Sequence, residues 1–211
     1  MNAVIDRKRA ADTGALVITG HDLIISDLIK VACYDEKVAL SECAKERVLK
    51  AYRVVKRKVD EKKPVYGITT GFGKLSSVAI DTDQSKELQK NLIMSHACGV
   101  GKPFSREVTR AVMLLRANTL ANGYSGVNLR VIETLVAMLN RGVHPVIPEK
   151  GSLGASGDLA NLAHVALVMI GKGEAIYKNE RKDGLAAMEE AGIPAIELEG
   201  KDGLGDRKSV V

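Results

Sequence analysis

Tryptophan is absent, aromatic residues make up 3% of the chain, and cysteine occurs three times in 211 residues. With so few aromatic faces there is little for nucleic-acid bases to stack on. Cys33, Cys43 and Cys98 are odd in number, widely spaced and without a CxxC pair, so neither a disulfide framework nor a metal site is expected. They read instead as small buried hydrophobes. Long apolar runs are also missing. A stretch such as residues 163–170 is too short to span a bilayer, and the opening MNAVIDRKRAADTG holds no apolar signal core. These absences point to a cytoplasmic protein with no membrane partner.

What is present suits one soluble core: 45% hydrophobic and 27% charged residues. The net charge of +5 invites a nucleic-acid reading, but the basic residues of KERVLKAYRVVKRKVDEKK are interleaved with acids, as on a solvated helix face. No nucleic-acid partner is expected.

Along the chain the pattern is mainly α, with short strands and Gly-rich loops. A short extended LVIT precedes HDLIISDLIKVACYDE, apolar at helical spacing, and Ser41 can cap a helix running to the break before Pro64. Three amphipathic helices follow: DQSKELQKNLIMSHA, SREVTRAVMLLRANTLA capped by Ser105, and SGVNLRVIETLVAMLNRG ending at Gly142. DLANLAHVALVMIGKG is apolar nearly all round and predicts a buried helix starting near Asp158. A strand EAIYK, a charged turn NERKD and a small helix GLAAMEEAG complete the readable part.

Common phosphate and nucleophile motifs fail. Gly73-Lys74 is followed by Leu75 rather than Ser or Thr, which excludes a Walker A loop, and no dinucleotide fingerprint occurs. Gly154-Ala155-Ser156-Gly157 puts its glycines one residue too close for a nucleophile elbow. Two Gly-rich loops remain, at 66–73 and 151–157, each with one hydroxyl, Tyr66 and Ser156. Taken alone, Tyr66 reads equally as a loop aromatic packed on the core, and the second loop as a flexible lead into an Asp158-capped helix.

GSLGASGDLANLAH, together with YGITTGFG and MSHACGVG in the same order and at similar separation, resembles the signature motifs of the aromatic amino acid ammonia-lyases. The resemblance covers about residues 15–204. It implies the N-terminal domain of that fold and an electrophile, 4-methylidene-imidazol-5-one (MIO), formed autocatalytically from Ala155, Ser156 and Gly157. Such a cyclisation needs the Gly157 nitrogen to attack the Ala155 carbonyl, whose oxygen leaves as one water, an approach that a turn poor in side chains permits; Ser156 then loses a second water. No metal and no nucleotide cofactor is implied. Gly73 and Asp158 take supporting places, the latter at the start of a helix whose dipole favours negative charge on the new group.

By the same resemblance, Tyr66 is the base that removes the proton beside the substrate ring, and His96 meets the substrate side chain. Histidine-specific members resemble the Ser-His-Ala-Cys-Gly seen at 95–99, whereas phenylalanine-specific members are apolar there and tyrosine-specific ones tend to His-Leu. L-Histidine going to trans-urocanate and ammonia is therefore implied. Use of tyrosine or phenylalanine, an aminomutase that returns the amine to the β-carbon, and a helical module that never cyclises remain as alternatives. His96 could also be a core histidine of its helix, and His21, His144 and His164 read as structural.

Asn161 departs from the signature, where the family usually has Pro, but both are tolerated in a first helical turn. Family members exceed twice this length, adding a helical bundle that completes the active site and builds homotetramers. The expectation is an incomplete domain over 1–204, inactive by itself, with the bundle missing. Residues 205–211 are expected to be a non-native tail, because DRKSVV is also the translation of a common sequencing-library adapter.

Overall fold

The computed structural model describes residues 14–61, 65, 70, 82–154, 157–198 and 202. The expected tail at 205–211 lies outside them.

The chain opens with a strand, β1 (Ala15–Ile18), whose parallel partner β2 (Lys37–Leu40) is reached across helix α1 (Ile25–Tyr34). The parallel pairing, Ala15 with Lys37 through Ile18 with Leu40, was not legible in the sequence. Next, α2 (Glu42–Asp60) starts where expected: Ser41 accepts the Ala44 N–H at 3.1 Å and satisfies a donor the first turn leaves unpaired. The third helix, α3 (Thr82–His96), ends at the candidate His96.

Ser105 caps α4 (Arg106–Ala121) as predicted, accepting from Val108 N–H at 3.4 Å. In α5 (Leu129–Arg141), by contrast, Asn128 is the cap, so the helix begins four residues later than SGVN suggested; Gly142 ends it at φ 77°, a conformation glycine adopts without strain. Helices α4 and α5 form the centre of the core. Met113, Leu114, Ala117 and Leu120 of the first meet Val131, Ile132, Leu135, Met138 and Leu139 of the second, both sets at the i, i+3, i+4 spacing that makes a helix stripe. Val31 of α1, Val48 of α2 and Ile147 close the cluster.

Residues 144–158, which include the Gly-rich loop expected at 151–157, carry four short strands: β4 (His144–Pro145), β5 (Pro148–Lys150), β6 (Leu153–Gly154) and β7 (Gly157–Asp158). β5 pairs antiparallel with β3 (Val100–Pro103), the strand just after α3. The buried helix is α6 (Ala160–Met169); none of its residues is exposed, and Ala163, Val165, Ala166, Val168 and Met169 are fully buried. It starts two residues after Asp158, which is paired with Leu153 in the β6–β7 hairpin, and its N-cap is Leu159 without a side-chain cap.

The charged turn NERKD is a second correction. Lys178 and Asn179, both at positive φ, make the turn, and Glu180–Asp183 forms strand β9 against β8 (Glu174–Tyr177). Paired left-handed residues suit the twist of a two-residue hairpin, and the charges stay solvated across the strands, with Arg181 Nε donating to Glu174 at 2.9 Å. Asp183 then caps α7 (Gly184–Glu190), accepting from Leu185 N–H at 2.9 Å. The cysteines also differ from expectation: Cys33 and Cys98 are exposed and Cys43 is half-buried, because Val31 and Ala32 face the core while residue 33 turns outward and Cys98 lies in the link after α3. No described helix is long and apolar enough to cross a membrane.

Candidate functional site

Of the residues singled out in the sequence, Tyr66, Gly73, Ala155 and Ser156 lie outside the described residues. His96, Gly157 and the backbone of Asp158 are within them, and their elements converge.

The hairpin frames the triplet. β6 and β7 pair Leu153 with Asp158 and Gly154 with Gly157, so residues 155 and 156 are the whole connection between the strands. Gly157 has φ 88°, in the region where side chains are strained, and a Cβ built on it would meet nothing within 4 Å. Conformation therefore selects glycine here, and crowding does not. Close by in sequence, the Asn161 side-chain oxygen of α6 is buried without a hydrogen-bond partner.

His96 closes α3. Its Nδ1 lies 2.8 Å from the Leu92 carbonyl and 3.0 Å from the Ser95 hydroxyl. A carbonyl only accepts, so the neutral ring carries its proton on Nδ1 and leaves Nε2 as an acceptor. The half-buried ring is thus fixed in tautomer by the helix it terminates.

Two contacts join this helix end to the segments on either side of the triplet. Ile93 of α3 is buried against Ala166 of α6, beyond the hairpin. Past His96 the chain runs into β3, which pairs Val100 with Lys150 and Pro103 with Pro148 of β5, before the hairpin. Between them Gly99 donates its N–H to His164 Nε2 at 3.1 Å. His164 had read as structural in the sequence; an imidazole in an apolar helix signals no particular partner when that partner is 65 positions away.

Other features do not join the site. No described group of three or more His, Cys, Asp or Glu side chains is placed to hold a metal ion. A depression of about 760 Å³ opens beside β1 and the start of α1, lined by Thr19, Asp22, Ile24, Asp27, Tyr34 and Asn118, and shares no residue with the hairpin or with α3.

A model of the aromatic amino acid lyases matches residues 23–205. The chain belongs to the aromatic amino acid lyase family. It is 60% identical over 189 residues to a histidine ammonia-lyase from Caldanaerobacter subterraneus subsp. tengcongensis, covering 90% of this chain and 37% of that protein. Among solved structures, ergothionase from Treponema denticola, an ergothioneine-degrading enzyme, superposes with a TM-score of 0.88 at 35% identity, over 92% of this chain and 39% of its own. Histidine ammonia-lyase from Trypanosoma cruzi gives 0.86 at 34% identity, over 92% and 38%. The mainly α lyase fold is therefore the fold of this family member, which spans between a third and two-fifths of the length of these relatives.

Proposed function

We propose that this chain is the electrophile-forming part of a cytoplasmic histidine ammonia-lyase, which removes ammonia from L-histidine to give trans-urocanate and works as a homotetramer when complete. The observation that carries the reading is that the helix ending at His96 packs on α6 through Ile93 and the strand after it pairs with β5, so that it meets both segments flanking residues 155–157. The identity to a named histidine ammonia-lyase supports it. By the family resemblance, residues 1–204 form the lyase domain.

MIO, formed from Ala155, Ser156 and Gly157, would supply an electrophile that takes up the substrate amine and makes it a better leaving group. Gly157, at positive φ, allows the close approach its formation needs. His96 accepts an N–H of the substrate imidazole at Nε2, since its own proton is committed to the Leu92 carbonyl. A phenylalanine ring has no N–H to offer, and an unpaired buried acceptor costs about 1–3 kcal/mol, which favours histidine. Tyr66 takes the proton from the carbon next to the ring; a phenol with a pKa near 10 needs its anion stabilised to do so at neutral pH.

Intact mass and product analysis test the proposal together. A chain lighter by two waters, with the deficit lost in Ser156→Ala, and urocanate formed from L-histidine by the complete protein are the expected results. An undiminished mass overturns the electrophile, and a β-amino acid as the main product makes the protein an aminomutase.

A further inference from the structure

His164 stands on the second turn of α6 and accepts the Gly99 N–H at Nε2. To accept there, the ring must be neutral with its proton on Nδ1. The approach is close by construction: a Cβ on residue 99 would lie 3.0 Å from the same Nε2 and 3.2 Å from Pro148 Cβ, so the backbone reaches the imidazole because residue 99 has no side chain. Gly99 is three residues past His96. Of the contacts around this link, the Ile93–Ala166 packing is apolar and non-directional, and the β3–β5 ladder begins only at Val100. A hydrogen bond to the Gly99 amide instead fixes the link itself in direction and distance.

We propose that His164 is a positioning residue, whose Nε2 lone pair anchors the Gly99 amide and through it holds His96 at a set offset from residues 155–157. The proposal rests on the reading in which His96 meets the substrate ring. It assigns His164 no contact with substrate. It works because α6, rigid and buried, leads directly out of the hairpin, so a bond from α6 to the link measures the link against the triplet.

Side-chain reach provides the test. The Gln amide oxygen extends about as far as Nε2 and accepts without titrating, whereas the Asn oxygen stops near the position of Nδ1. In the complete protein, His164→Gln, His164→Asn and His164→Ala are compared by amide exchange at Gly99 and by the kinetics of urocanate formation. Gly99 exchange is expected to stay slow in the Gln variant and to speed up about fivefold to tenfold in the Asn and Ala variants, with amides of α6 still protected. The same two variants should raise KM for L-histidine about fivefold to tenfold with kcat nearly unchanged, and Gln should restore it. A merely structural role would lower stability without this split or this rescue. If Ala does not fold, the Asn and Gln pair decides. Gly99 exchange unaltered by Asn overturns the anchor, and faster exchange with unchanged KM overturns its link to His96. A complete wild-type protein that makes no urocanate overturns the functional reading instead, and the exchange comparison still decides the anchor.

Discussion

Arg110 Nη1 lies 3.2 Å from Nε2 of His144, with both side chains buried. The guanidinium also donates from Nε to the Val31 carbonyl at 2.8 Å and from Nη1 to the Leu139 carbonyl at 2.9 Å, and Nη2 pairs with Asp35 at 3.3 Å. One side chain thus joins α1, α4, α5 and β4. An arginine cannot accept, so His144 does, and it must be neutral. Burial first, and then the Arg110 and Arg106 charges, push its pKa down from 6.5 to about 4.

That shift has a definite sign. Unfolded His144 takes up a proton near pH 6.5 while the folded residue resists until about 4, so the unfolded state binds more protons in between. Stability is whole above 6.5 and falls as pH drops toward 4, by up to about 1.4 kcal/mol per pH unit from this group. Urea unfolding at pH about 7.5 and about 5 should show the loss, and His144→Gln should reduce it. An equal loss in both proteins would assign it to other groups.

Arg110→Ala leaves the Val31 and Leu139 carbonyls and His144 without their donor inside the core. A cost of about 3 kcal/mol is expected in urea unfolding at neutral pH. A cost under about 1 kcal/mol would mean water enters and substitutes for the guanidinium.

Two glycines at nearly the same φ should behave differently. A Cβ on Gly20, at φ 89°, would stand 2.6 Å from the Asn122 nitrogen, backbone against backbone. Gly20→Ala is therefore expected to cost about 2–4 kcal/mol in global stability. Gly157, at φ 88°, has open space around it, so Gly157→Ala should cost only about 1–2 kcal/mol of strain and lower the melting temperature by a few degrees, less than Gly20→Ala does. Its effect should fall on the two-water mass deficit, which is expected to shrink or vanish. A full deficit in Gly157→Ala would show that the left-handed turn is dispensable for cyclisation.

His96→Leu removes the acceptor at the end of α3. The preference for L-histidine over phenylalanine, measured as the ratio of kcat/KM values in the complete protein, is expected to fall about tenfold to hundredfold. An unchanged ratio would place ring recognition elsewhere.

Tyr66→Phe should keep the mass deficit and lose about 10²–10⁴-fold in rate, the range for deleting a general base. Retained rate would move the base to another residue.

Local chemistry was legible without the fold. Ser41 and Ser105 cap the helices they were expected to cap, Gly142 ends α5, and the stripes of α4 and α5 read directly as core, because capping and helical periodicity act within one or two turns. Gly157, too, stands where the backbone is left-handed, at φ 88°. What the sequence determined by itself was therefore which helices form and where most of them are capped. The tertiary structure decided what those pieces meet. Arg110 sits in an amphipathic pattern that gives no sign of burial, yet it is 2% exposed because Val31, Leu139 and His144, up to 79 positions away, supply its partners. Glu180–Asp183 read as a turn because its charges mask a strand that only β8 can pair. His164 and Gly99 each look unremarkable alone, and their bond exists because α3 packs on α6 and brings a bare backbone amide against an imidazole. Such pairings depend on chain closure over long separations, where no local propensity acts.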